Sequence, residues 1–229
     1  RDQVKELSNK FVALGADKET IGFSNSRLAY DEIISKFCFA VEAHTLKKKI
    51  TSNDISFQYR QAVPFSDECI EIVDDTLTKF MKCVLGWEDF KFSFNKATIF
   101  SWFVYIRRNL DLETIDLQNT ISYMEFCRAY IKGKYKKVDN KYIKTFSSLQ
   151  KKVPFFEVML NTFNQRTSMG STDALSIIYR DIIITLFKDM MWNEKSALLQ
   201  YTMDTFVELE NFNYTLEKIV EKYNWGEHF

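Results

Sequence analysis

Glycine and proline are scarce in this chain, which has six glycines and two prolines among 229 residues. All-β folds need many turns, and turns depend on these two residues, so the composition disfavours that class. Long helices are interrupted by both residues, so their scarcity favours long helices. We therefore expect an all-α fold.

The residues of familiar metal sites are also few. Two histidines are present, His44 and His228, and the second lies in a tail that we expect to be disordered. Four cysteines, at positions 38, 69, 83 and 127, form no C-x-x-C pair, so a zinc site is not expected. Scattered cysteines are typical of a reduced core. We expect no metal and no cofactor.

Catalytic motifs are missing as well. There is no glycine-rich loop, no H-x-x-P or HNH pattern, and no histidine at the spacing after arginine that the helical HEPN ribonucleases use. We assign no catalytic residue to this chain, and whether the full-length protein is a nuclease or an NTPase stays open.

Long hydrophobic runs are absent. The longest charge-free apolar run covers residues 97–106, about half of a transmembrane helix. With no signal peptide in its opening RDQVKELSNK, the chain is expected to be cytoplasmic and to have no membrane partner. Because it opens inside an apparent helix without an initiator Met, we expect a fragment whose catalytic N-terminal domain lies outside it.

Strong helical periodicity is present. Apolar residues at 70, 73, 77, 80 and 84 form an amphipathic stripe, and the run ATIFSWFVYI predicts a central, buried helix. The stretch IIYRDIIITLF favours a helix by its length and spacing, with a buried strand as the alternative. These patterns predict a multi-helix orthogonal bundle of about nine to ten helices. We expect one domain at 1–229, with a subbundle seam near 133–153.

A lysine-rich stretch begins at Lys132 and overlaps that seam. Tyr135 and Tyr142 stand between its lysines, a pattern that can contact phosphates and stack on bases. A solvated loop is the alternative. The total charge is balanced, with 31 basic and 31 acidic residues, which argues against binding through bulk charge. The candidate nucleic-acid-binding residues are Lys132, Lys134, Lys136, Lys137, Lys141 and Lys144.

A second polar cluster surrounds the turn RTSMGSTD. Its candidate residues are Arg166, Asp173, Arg180 and Asp181. Free N–H groups at a helix start can hold an anion, and a capping network in which Arg166 pairs with Asp173 or Asp181 is the alternative. Because Arg180 and Asp181 lie inside an apolar helix, a buried ion pair there that joins two helices is favoured.

The order of these motifs resembles one known family. The segment SNSRLAYDEIISKF carries Arg27 and Asp31 in an R-x-x-x-D arrangement, and FNQRTSMGSTDALSIIYRD carries Arg180. Both resemble the helical region downstream of the ParB/sulfiredoxin-like domain in GmrSD-type restriction and phage-defence proteins of bacteria. The chemistry of that family is attributed to a D-G-Q-x-R motif and to an HNH-like domain, and neither occurs here.

The resemblance implies a non-catalytic helical scaffold or regulatory domain of a restriction or antiviral defence system. Its implied partners are the missing N-terminal ParB-like domain or a partner subunit, DNA, and further copies of the chain in a homo-oligomer. Two alternatives remain: a protein interaction module with an aromatic-rich groove, and an enzyme with unrecognised chemistry.

Overall fold

The computed structural model describes residues 1–61, 63–135, 140–169, 173–192 and 195–229. Within these ranges the chain forms α-helices and one 3₁₀ turn over Ser26–Leu28, without a strand, so the predicted all-α fold is confirmed. The helices are α1 (Asp2–Ala13), α2 (Lys18–Ile21), α3 (Ala29–Glu42), α4 (Ser52–Gln61), α5 (Asp67–Leu85), α6 (Lys96–Arg108), α7 (Thr114–Tyr130), α8 (Asn140–Lys152), α9 (Phe156–Ser168), α10 (Ala174–Trp192), α11 (Ala197–Leu209) and α12 (Phe212–Tyr223).

The twelve helices in the described ranges exceed the expected nine to ten, because two of them fall in segments whose polar sequence predicts loops. In α2, the Asp17 side chain caps the first turn and Gly22 ends the helix at φ +101°. α8 occupies most of the predicted seam, and its buried side chains recur at helical spacing: Tyr142, Phe146 and Leu149. The orthogonal packing and the single domain with its seam stay predictions.

Aromatic side chains build the core around α6. All ten residues at 97–106 are buried, which confirms the predicted central helix, and α6 packs against α3, α5, α9 and α10. The Phe103 ring lies 5.3 Å from the ring of Phe80, 5.4 Å from that of Phe37 and 5.9 Å from that of Phe11. Such edge-on and tilted contacts suit the quadrupoles of aromatic rings and bring three helices together on α6.

Two further core predictions are confirmed. The β-branched stretch lies in α10, a helix that packs on α6, α7 and α9. Burial against three helices outweighs the strand preference of its isoleucines. The four cysteines are buried and unpaired.

The C-terminal segment is ordered against the bundle, so the expectation of a disordered tail around His228 is wrong. The backbone N–H of Phe229 donates to the carbonyl of His44 at 2.8 Å, and that of Leu46 donates to the carbonyl of Gly226 at 2.8 Å. Backbone pairing and burial of Phe229 hold this segment beside the end of α6.

Candidate functional site

The predicted lysines lie on the turn that follows α7 and on α8. Lys132, Lys134, Lys141 and Lys144 are exposed, whereas Lys136 and Lys137 lie outside the described residues. The Lys141 ammonium lies 2.8 Å from the carboxylate of Asp89, so its charge is partly compensated. α8 contains no acidic residue, and its last two lysines are exposed too. The outer face of α8 is therefore positive.

Gly133 reverses the chain after α7. Its φ is +79°, a left-handed conformation that glycine adopts without a steric penalty. The N–H of Gly133 donates to the carbonyl of Tyr130 at 2.8 Å, and the N–H of Lys134 donates to that of Ala129 at 3.0 Å. This double closure of a helix C-terminus turns Lys134 back toward the face of α7 that carries Arg128.

The turn is anchored to residues 90–93, a segment distant in sequence. The Tyr135 hydroxyl donates to the carbonyl of Lys91 at 2.8 Å, and the Tyr135 ring lies 4.9 Å from the ring of Phe90. The two segments therefore form facing walls beside α7.

Arg128 is buried between these walls and is held on three sides. Its Nε donates to Oδ1 of Asn164 at 3.1 Å, and its Nη1 donates to Oε1 of Glu125 at 2.5 Å. Its guanidinium carbon lies 4.4 Å from the ring centre of Phe163. The remaining nitrogen, Nη2, donates no hydrogen bond to any residue that the structure describes. The guanidinium is thus fixed in orientation with one edge available.

Arg128, Lys132 and Lys134 line one cavity of about 70 Å³. Glu125 is the one carboxylate in its lining, so two positive charges are in excess. Burial, together with repulsion from Arg128 and Lys134, holds the pKa of Lys132 below its usual value. Lys132 and Lys134 form no ion pair with any residue that the structure describes. The other lining residues are Phe90, Phe92, Ser93, Ala129, Tyr135 and Asn164.

The sequence predicted the two lysines of this cavity but not Arg128. The spacing of Glu125 and Arg128, three residues apart on a helix, is a signal for an ion pair. The opposite wall, contributed by residues 90–93, has no such local signal.

The four residues predicted around the turn RTSMGSTD do not form one site. Asp173 accepts a hydrogen bond from the N–H of Ser176 at 2.9 Å. Contacts with Ser176, its side chain first and its backbone second, lower the pKa of the Asp173 carboxyl. The guanidinium carbon of Arg166 lies 4.7 Å from the ring centre of Tyr179. Within the described ranges, Arg166 pairs with neither Asp173 nor Asp181. Asp173 therefore caps the start of α10, but the expected pairing of Arg166 with Asp173 or Asp181 is not formed.

Arg180 and Asp181 are fully buried and point to different sides of α10. Arg180 donates from Nε to the Ser101 hydroxyl at 2.7 Å and from Nη1 to the carbonyl of Arg166 at 2.8 Å. Asp181 instead accepts from Nε of Arg108 at 2.9 Å. The buried ion pair that joins two helices exists, but its cation is Arg108, because consecutive helical residues do not face each other. Burial lowers the pKa of Arg180 to about 10.

The residues that carry the family resemblance near the start of the chain line a second cavity, of about 390 Å³, between α1, α3 and α4. Arg27 and Asp31 both contribute to it. Arg27 and Leu28 adopt left-handed φ values of +55° and +57°, a conformation that costs non-glycine residues energy. Leu28 and, on α4, Phe57 are exposed. We call the cavity surface that includes Arg27, Leu28 and Asp31 the N-terminal groove.

Over the described ranges, no group of three His, Cys, Asp or Glu side chains is placed to hold a metal ion. None of the helices given above is both long and apolar enough to cross a membrane. No family model, curated protein or solved structure matches the chain.

Proposed function

We propose that the chain is a non-catalytic helical scaffold domain of a bacterial restriction or anti-phage defence protein, which contacts DNA through one basic surface. The observation that supports DNA contact is the set of exposed lysines on the turn after α7 and on α8, a helix that itself contains no acidic residue. Neutralising phosphates with lysines releases counterions and favours binding. We call this surface the basic face; it consists of Lys132, Lys134, Lys144, Lys151 and Lys152.

The scaffold part of the proposal concerns the N-terminal groove. Arg27 and Asp31 belong to the motif that resembles the defence proteins, and both line the groove. Leu28 adds apolar surface and is 57% exposed. We propose that a ParB-like domain packs here, since exposed apolar patches mark protein contacts.

The alternative of an aromatic-rich interaction groove receives less support. All phenylalanines lie in the described residues, and Phe57 is the one that is exposed. The rings that dominate the composition are therefore used in the core.

Filter binding of a DNA duplex tests the DNA contact. We expect Lys134→Glu/Lys144→Glu to lower the affinity for the duplex by at least about tenfold. The slope of log affinity against log salt concentration should fall by the equivalent of about two phosphate contacts. The matched control is Lys5→Glu, a charge reversal at an exposed lysine of α1. Unchanged affinity in the double variant would remove DNA from the proposal.

The reading frame upstream of Arg1 tests the assignment to a defence protein. A D-G-Q-x-R motif encoded there supports the assignment, and a gene whose frame has no such motif contradicts it.

A further inference from the structure

We infer that the cavity lined by Arg128, Lys132 and Lys134 binds the terminal phosphate group of a nucleic-acid strand. The inference rests on the proposed function, because the basic face would bring the strand to the cavity. It goes beyond that function because it assigns the terminal phosphate of the strand to this one cavity.

The first argument is the preorganisation of Arg128. Hydrogen bonds to Asn164 and Glu125 and the face of Phe163 fix the guanidinium plane. Its free edge is therefore oriented before any ligand arrives, so little side-chain entropy is lost when it donates to a phosphate oxygen. Hydrogen bonds between ionised partners are among the strongest that proteins form.

The second argument is the charge of the cavity. Its lining has two positive charges in excess. A terminal phosphate monoester carries a charge of about −1.5 to −2 near neutral pH, whereas a phosphodiester inside a strand carries about −1. The cavity therefore matches a terminal phosphate better than an internal one. Burial lowers the pKa of Lys132, and repulsion from Arg128 and Lys134 lowers it further; a bound anion would offset that repulsion.

The third argument is size. The cavity of about 70 Å³ has room for a compact tetrahedral anion. The nearby rings are already packed on one another, with Phe90 at 4.9 Å from Tyr135 and 5.4 Å from Phe92. The aromatic residues thus form one wall of the cavity.

Titration of the full chain with inorganic phosphate tests the site by NMR. We expect saturable shifts of the Arg128 Nε–H and of the Lys134 amide, which Lys132→Gln/Lys134→Gln abolishes. The matched control, Lys144→Gln/Lys151→Gln, neutralises two lysines of the basic face outside the cavity and should leave the shifts in place. Both pairs are exposed, so folding is preserved. Absence of a saturable shift in the wild type overturns the inference.

Single strands of one sequence test the source of the phosphate. We expect a strand with a terminal phosphate to bind about tenfold more tightly than the same strand with hydroxyl ends. The Lys132→Gln/Lys134→Gln variant should lose this difference. Equal affinities in the wild type contradict the inference while the proposed DNA contact stands. Phosphate binding without binding of either strand contradicts the proposed function and excludes nucleic acid as the ligand.

Discussion

The carboxylate of Asp181 on α10 accepts a hydrogen bond from Nε of Arg108 on α6 at 2.9 Å. The same Oδ2 oxygen accepts another from the indole N–H of Trp225 at 2.7 Å. Asp181 is only 1% exposed, so these two donors replace water at Oδ2, while Oδ1 is buried without a hydrogen-bond partner among the described residues. Burial raises the pKa of this carboxyl. One carboxylate therefore connects two core helices and the C-terminal segment.

Arg108→Leu should lower the free energy of unfolding by about 3 kcal/mol, because it leaves a buried carboxylate without its cation. Urea denaturation measures the loss. Arg107→Leu is the matched control, since Arg107 is the neighbouring arginine and forms no ion pair with any described residue. The double variant Arg108→Leu/Asp181→Leu should recover part of the stability. Equal losses at positions 107 and 108 would contradict the role of the pair.

Phe103→Ala should lower the free energy of unfolding by about 3–5 kcal/mol, because it opens a cavity between α1, α3 and α5. Thermal and urea unfolding both report this change. Phe57→Ala is the control for removing a phenylalanine from the surface and should change stability by less than about 0.5 kcal/mol. A small loss at Phe103 would mean that the core is not centred on α6.

Gly133→Ala should cost about 1 kcal/mol, because a Cβ atom is disfavoured at φ +79°. It should also weaken phosphate binding by displacing Lys134. Gly133→Asn is the matched variant, since asparagine tolerates the left-handed conformation and should retain most of the stability and affinity. Urea unfolding and the phosphate titration are the two measurements. Identical behaviour of the two variants would exclude the backbone as the cause.

Asp89 should make the stability of the protein depend on acid pH. Hydrogen bonds from Lys141 and Tyr142 hold the pKa of this carboxyl below its ordinary value of 3.8. A carboxyl with a lowered folded-state pKa stabilises the fold above its unfolded pKa, and this contribution is lost as the pH falls toward the folded value. The stability difference between wild type and Asp89→Asn should therefore shrink below about pH 4.

Urea denaturation between about pH 3 and 6 measures this difference. Asp75→Asn, which removes an exposed carboxylate of α5, controls for the general effect of acid. A constant difference between wild type and Asp89→Asn across the range would contradict the contact with α8.

Helices with a clear apolar stripe were predictable from the sequence. α5 has its stripe at positions 70, 73, 77, 80 and 84, and α6 is apolar on every side, so burial follows from the local pattern. α8 was missed because its lysines conceal a narrow stripe in a segment that also carries turn residues. Its three buried side chains become visible as a stripe only when the helix is placed against α7 and α9.

The candidate site was predictable only in its exposed part. Lys132 and Lys134 stand out because positive charges cluster in the sequence. The spacing of Glu125 and Arg128 indicates an ion pair but not a cavity, and the opposite wall of the cavity comes from residues 90–93. Their meeting depends on how α7 packs on the rest of the bundle, which no sequence spacing encodes.

The sequence by itself determined the fold class and the identity of most helices, because helical periodicity and capping are local properties of neighbouring residues. Tertiary structure decided the use of the buried arginines Arg128 and Arg180 and of the half-buried Arg108. Arg108 pairs with Asp181, Arg180 donates to the end of α9, and Arg128 keeps one edge open toward a cavity. Partner choice depends on atoms brought together from distant segments, so the same residue type has three different roles in one core.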